Sequence, residues 1–145
     1  MINNKVQILL IEDDEIDISA LCRTFEKNKI ENPLHIVHDG ISALELLHSD
    51  KINLQDPYVI ILDLNLPKMN GHEFLENLRS DQKLCRNIVF VLTTSNNDQD
   101  KELAYGKNIS GYILKSNVGD NMEKLLDFFH SYCSINEFPN AASST

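Results

Sequence analysis

Five residues, Tyr58-Val59-Ile60-Ile61-Leu62, run without a polar interruption and then meet a carboxylate, Asp63. A short continuous run rich in Val and Ile is what a strand buried on both faces requires. Asp63 therefore stands at the C-terminal end of an interior strand. Leu66-Pro67 and Asn70-Gly71 are turn chemistry, so the chain leaves the sheet there in a loop. In open α/β sheets, ligands bind outside the carboxyl ends of the strands. A lone Asp at such an end commonly caps a helix or turn, so the other strand ends decide its meaning.

Four more apolar runs flank this one: residues 6–11, 34–38, 88–92 and 111–114. Helical spacing separates them. Ile16, Ala20, Leu21 and Phe25 mark a first helix, with Asp14 and Glu15 as cap and first turn and Lys27-Asn28-Lys29 at its close. Ile41, Ala43, Leu44 and Leu47 mark a second after the turn Asp39-Gly40. Phe74, Leu75 and Leu78 give a third. A fourth, through Leu103 and Ala104, has a thin apolar face and is expected to move. A fifth carries Met122, Leu125, Leu126, Phe129 and Cys133, leaving Phe128 and Tyr132 partly exposed. Residues 49–57 form a polar connector. Strand and helix alternate five times. That rhythm predicts a doubly wound, five-stranded parallel sheet of order 2-1-3-4-5, flavodoxin-like, with helices on both faces. One domain over residues 5–133 and a flexible tail over 134–145 follow.

Composition narrows function by exclusion. A formal net charge of −9 disfavours nucleic acid and anionic membrane as partners, but admits a divalent cation. No apolar run approaches the roughly 18 residues of a membrane span, and no signal-peptide pattern opens the chain. Cys22, Cys85 and Cys133 contain no Cys-x-x-Cys, which points to idle thiols in a reducing cytoplasm. His35, His38, His48, His72 and His130 show no metal-ligand spacing and are expected on strands or the surface.

The strand ends, taken together, carry chemistry. The first ends in Glu12-Asp13, the third in Asp63, the fourth in Thr93 and the fifth in Lys115. In a 2-1-3-4-5 sheet the first and third strands are neighbours, so three carboxylates converge. Like charges that close need a cation, and hard oxygen ligands in a wet cleft suit Mg²⁺. Acids, a hydroxyl and an ammonium around one Asp are the parts for phosphoryl transfer to a carboxylate.

The chain resembles the response-regulator receiver domains of two-component signalling from about residue 5 to residue 133. The likeness rests on Leu9-Leu10-Ile11-Glu12-Asp13-Asp14, on residues 61–71, on Val91-Leu92-Thr93-Thr94-Ser95 and on Gly111-Tyr112-Ile113-Leu114-Lys115. It implies Asp63 as phosphoacceptor, and Glu12 and Asp13 as metal acids beside Asp63. It implies a metal-directed backbone carbonyl at Asn65, with Thr93 and Lys115 on the phosphoryl group. Tyr112 matches the aromatic that changes rotamer on activation. A histidine kinase or phosphotransfer protein would supply the phosphoryl group. An unidentified protein would read the signal, and a homodimer could form through the fourth and fifth β-α units. Thr94-Ser95 and the long connector also resemble small stand-alone receivers serving phytochrome-type histidine kinases.

Two other classes compete. A haloacid-dehalogenase-type phosphatase resembles Asp-x-Asp, but the second position here is Asn65. A P-loop switch lacks its Gly-x-x-x-x-Gly-Lys motif. A receiver-fold binding module that works without phosphorylation is the remaining alternative. The one departure from the receiver pattern is Ser116, where the family usually has Pro after the Lys. A cis bond before Ser costs roughly 2.5–4 kcal/mol, so a trans Lys115-Ser116 bond is expected, with Lys115 still reaching the cleft.

Overall fold

The computed structural model describes residues 6–49, 51 and 56–139. Its elements alternate as expected: β1 (Gln7–Ile11), α1 (Glu15–Lys27), β2 (Leu34–Val37), α2 (Gly40–Leu47), β3 (Tyr58–Leu62), α3 (Gly71–Ser80), β4 (Ile88–Thr93), α4 (Asp98–Tyr105), β5 (Gly111–Leu114) and α5 (Glu123–Ile135). The five strands are parallel, in the order β2-β1-β3-β4-β5. Most of the polar connector at 49–57 and the last residues of the expected tail lie outside the described residues.

Successive side chains of a strand point to opposite faces, so each apolar run feeds two cores. Ile8, Leu10, Val59, Ile61, Phe90 and Leu92 face α1 and α5. Leu9, Ile11, Ile60, Leu62, Val89 and Val91 face α2, α3 and α4. β1 is buried throughout, as are β3 and β4 beyond their first residues, whereas the edge strands β2 and β5 are only half-buried. α4 contributes little to this packing, since Ala104 is its single buried residue.

The helix starts follow local chemistry. Asp14 accepts from the amides of Ile16 and Asp17, and Asp39 from that of Ser42. Asn70 and Glu73 make a reciprocal capping box at α3. Three apolar residues read from the pattern as helix-core positions face water instead, among them Leu103 on α4, 51% exposed. Ile16 is 79% exposed and Ile41 is 42% exposed. Both sit in the first turn, ahead of the stretch of helix that lies on the sheet; Ile18 and Ala43 occupy the buried positions. At the other end, α5 continues through Ser134 and Ile135, two residues past the expected boundary. Phe138 beyond it packs edge-on against Tyr132 at 5.8 Å. Phe128 and Tyr132 are partly exposed as expected, yet they also enclose Phe90, at 5.3 and 5.2 Å between ring centroids.

Arg79, near the end of α3, ties two loops to the sheet. Its guanidinium donates to the carbonyls of Lys107 (2.7 Å), Cys85 (2.8 Å), Asn87 (2.8 Å) and Asn108 (3.1 Å). The planar fork matches that spread of acceptors, which a lysine cannot. Charge-assisted bonds contribute about 1.5–3 kcal/mol, and the carbonyls would lose their partner together. Arg79→Met is expected to lower the urea-unfolding free energy by about 3 kcal/mol, with Arg79→Lys recovering only part of the loss.

Candidate functional site

The parallel register delivers the strand ends to one edge. β1 and β3 pair from Gln7 with Tyr58 to Ile11 with Leu62. The ladder continues one step further, as the amide of Asp63 donates to the carbonyl of Ile11 at 3.0 Å and that of Glu12 to Val37 at 2.9 Å. Glu12 and Asp63 are thereby set side by side, and both are buried, at 2% and 6% exposure. Asp13 turns outward beside them. Carboxylate oxygens of Glu12, Asp13 and Asp63 lie within 4.8 Å of one another.

Lys115 closes the cleft from the end of β5. Its ammonium bonds Glu12 Oε1, Asp17 Oδ2 at 2.7 Å and Asp63 Oδ2 at 3.2 Å. The peptide bonds of the described residues are all trans, so Lys115-Ser116 takes the geometry its energy favours. Lys115 begins a single 3-10 turn, Lys115–Asn117, and its long stem still carries the charge inward.

Asp17 is the residue sequence reading missed. Acids in the first turn of a helix are expected anyway, because they complement the helix dipole. Nothing local separates that role from a contact with Lys115, 98 positions along the chain. Asp13 precedes the cap Asp14, so no helical spacing within α1 links Asp17 to the strand-end acids.

Electrostatics show how crowded the cleft is. Burial first, and then the adjacent Asp63, raise the Glu12 carboxyl above the ordinary carboxylate range against the pull of Lys115. At Lys115 burial opposes the charge, but the bonds to Asp17 and Glu12 outweigh it and hold the ammonium's pKa above its ordinary value. Three carboxyl groups, of Glu12, Asp17 and Asp63, thus share one ammonium, with Asp13 close by. Three hard oxygen donors converging beside a single lysine fit a divalent metal ion.

Two further residues meet at the adjacent strand ends. Thr93 is fully buried at the end of β4, and its hydroxyl accepts from the Ser95 amide at 3.3 Å. Tyr112 on β5 donates its hydroxyl to the Ser95 carbonyl at 2.8 Å. Among the described residues no hydrogen bond joins Thr93 to Asp63. The backbone amide of Asn65 donates to Asp63 Oδ1 at 3.3 Å. Gly71 is needed for a close approach below the site. A Cβ there would stand 2.6 Å from both the Asp63 carbonyl oxygen and Leu64 Cα. α3 therefore braces the backbone on which Asp63 sits. Of the histidines, His72 lies 3.0 Å from Asp100 and His38, just after β2, lies 3.6 Å from Glu15.

Residues 8–127 match the family model described as response regulator receiver domain. Response regulator Rcp1 of Synechocystis is 33% identical over 127 residues, covering 86% of each chain. The crystal structure of the Mn²⁺-bound form of Rcp1 superposes with a TM-score of 0.76 at 30% identity, over 92% of this chain and 99% of that one. The phosphorylated cyanobacterial phytochrome response regulator RcpA gives a TM-score of 0.75 at 30% identity, over 92% and 96%. With the strand order and the cleft of acids and lysine already in place, the chain belongs to the response regulator receiver domain family of two-component signalling.

Proposed function

We propose that Asp63 accepts a phosphoryl group from a histidine kinase or a histidine phosphotransfer protein. The observation that carries this reading is the placement of Asp63. It is a nearly buried carboxylate between two further acids and the ammonium of Lys115. In the transfer, an Asp63 carboxylate oxygen bonds to phosphorus as the bond from phosphorus to the donor breaks. The donor leaves with that electron pair, and Asp63 becomes an acyl phosphate. Lys115 then exchanges its contact with the Asp63 oxygen for one with the phosphoryl oxygens. Thr93 offers its hydroxyl from the next strand end. Glu12, Asp13, Asp63 and the backbone carbonyl of Asn65 would hold Mg²⁺, which when bound would offset the charge on those oxygens. The Mn²⁺-bound Rcp1 and the phosphorylated RcpA structures support the same assignment. RcpA further suggests a phytochrome-type kinase as donor.

The output is a change of protein contacts. Thr93 and Tyr112 both bond Ser95 at the start of the β4–α4 loop. A hydroxyl drawn towards a phosphoryl group would shift that loop and the lightly anchored α4. Leu103, Tyr105, Phe128 and Ile135 lie exposed on α4 and α5, an apolar surface for a target or a second copy of this chain. We place the reaction in the cytoplasm, where the unpaired Cys22, Cys85 and Cys133 stay reduced. Among the described residues no helix is long and apolar enough to cross a membrane.

Asp63→Asn keeps the side chain's shape and removes the nucleophile. Incubation with acetyl phosphate and Mg²⁺ should add one phosphate to the wild-type chain and none to the variant, read by intact-protein mass. Labelling of the variant near the wild-type rate would place the acceptor elsewhere.

A metal that binds the folded state alone raises its stability. Mg²⁺ at about a hundred times its dissociation constant should raise Tm by roughly 5–10 °C. Asp13→Ala should remove most of that rise in a thermal melt. An undiminished response would count against Asp13 as a ligand.

A further inference from the structure

Beside the phosphoacceptor cleft lies a second hydrogen-bonded chain that touches the transfer reaction at Thr93 alone. It runs from α3 through α4 and the β4–α4 loop to β5. His72 Nε2, in the first turn of α3, lies 3.0 Å from Asp100 Oδ1. The other oxygen of Asp100, on α4, accepts from Ser95 Oγ at 2.6 Å. The Ser95 carbonyl accepts from Tyr112, and its amide donates to Thr93. α3, α4 and the β4–α4 loop therefore meet at one carboxylate, and Ser95 carries the chain on to β5.

The chemistry of the chain has a direction. The hydrogen bond from Ser95, and then that from His72, hold Asp100 below the ordinary carboxylate range. An ionised carboxylate only accepts, so His72 is the donor. Asp100 is bonded on both oxygens, which fixes where Ser95 stands. Ser95 in turn fixes the carbonyl on which the Tyr112 hydroxyl docks. The surrounding charges are engaged elsewhere. Glu73 serves the capping box with Asn70, Glu76 pairs with Lys107 at 2.6 Å, and Lys101 lies 3.8 Å from Asp98. His72 is thus the partner that Asp100 has on α3.

We propose that Asp100 is a positioning residue that transmits the state of Thr93 and Tyr112 to α4, held in place by its bonds to Ser95 and His72. The proposal rests on the reading of Thr93 and Tyr112 as the responsive pair. α4 has almost no buried apolar side chains of its own. Its attachment to the molecule depends correspondingly more on Asp100. Through His72 and Ser95, Asp100 ties α4 to α3 and to the β4–α4 loop.

The test uses the full chain with acetyl phosphate and Mg²⁺. Hydrogen exchange is followed over residues 98–105, with intact mass confirming phosphate on the protein. In the wild-type chain phosphorylation should change exchange across α4. In Asp100→Asn, phosphate should still be taken up at Asp63, but the response of α4 should shrink by about fivefold or more, the lower end of a typical coupling between sites. Full uptake with an undiminished α4 response overturns the proposal. A wild-type chain whose α4 does not respond at all overturns instead the reading on which it rests. A second measurement excludes a merely structural role. His72→Gln, which keeps a donor for Asp100, should retain most of the α4 response, whereas His72→Ala should lose much of it. A full α4 response in His72→Ala overturns the role given to the His72 bond.

Discussion

Two acids at the ends of neighbouring strands repel each other, and this structure buries both. Glu12 and Asp63 sit next to one another because β1 and β3 are adjacent and in register, leaving neither side chain a route away from the other. The ammonium of Lys115 answers that repulsion, bonding both acids and Asp17 besides. Removing one partner of a buried charged cluster leaves the others uncompensated, a cost of several kcal/mol. The cleft is therefore tense by construction. It holds more negative charge than one lysine can balance, and it is suited to groups that bring positive charge or take up the lysine.

The scaffold separates that tension from the rest of the molecule. Two apolar layers, one on each face of the sheet, include β1, β3 and β4 and hold the strand ends at fixed spacing. Gly71 lets α3 close against the backbone at Asp63 and Leu64. Arg79 staples the loops at the opposite end of α3. On this rigid base α4 is the exception. It holds by Ala104 and by polar bonds at its start, through Asn97 and Asp100. Elements that move in regulation are drawn from the least stable part of a fold, and here that part adjoins the strand ends that carry Thr93 and Asp63.

Legibility in the sequence followed the range of the forces involved. Strands β1, β3 and β4 were readable because continuous apolar runs admit few other fates. The cap Asp14 was readable because capping is local. Ile16 and Ile41 misled, since helical spacing says which residues share a stripe but not how far the stripe lies on the sheet. Ser134 and Ile135 are polar or exposed helix residues with no apolar repeat to announce them, so α5 reads short by two. The trans bond at Lys115-Ser116 was correctly expected, because the cost of a cis bond is intrinsic to the peptide group.

By itself, the sequence determined the alternation of strands and helices, hence the parallel sheet and its order, and the presence of Glu12, Asp13, Asp63, Thr93 and Lys115 at strand ends. Those features depend on periodicity and chain direction, which are written residue by residue. Tertiary structure alone decided that Asp17 shares Lys115, that Arg79 collects four carbonyls, and that Asp100 joins His72 to Ser95. Each is a polar contact between distant segments. Polar side chains carry no periodic signature of their partners, because a charge on a helix surface reads the same whether it meets water or another chain segment. Only the packing of the helices on the sheet brings the partners within bonding distance.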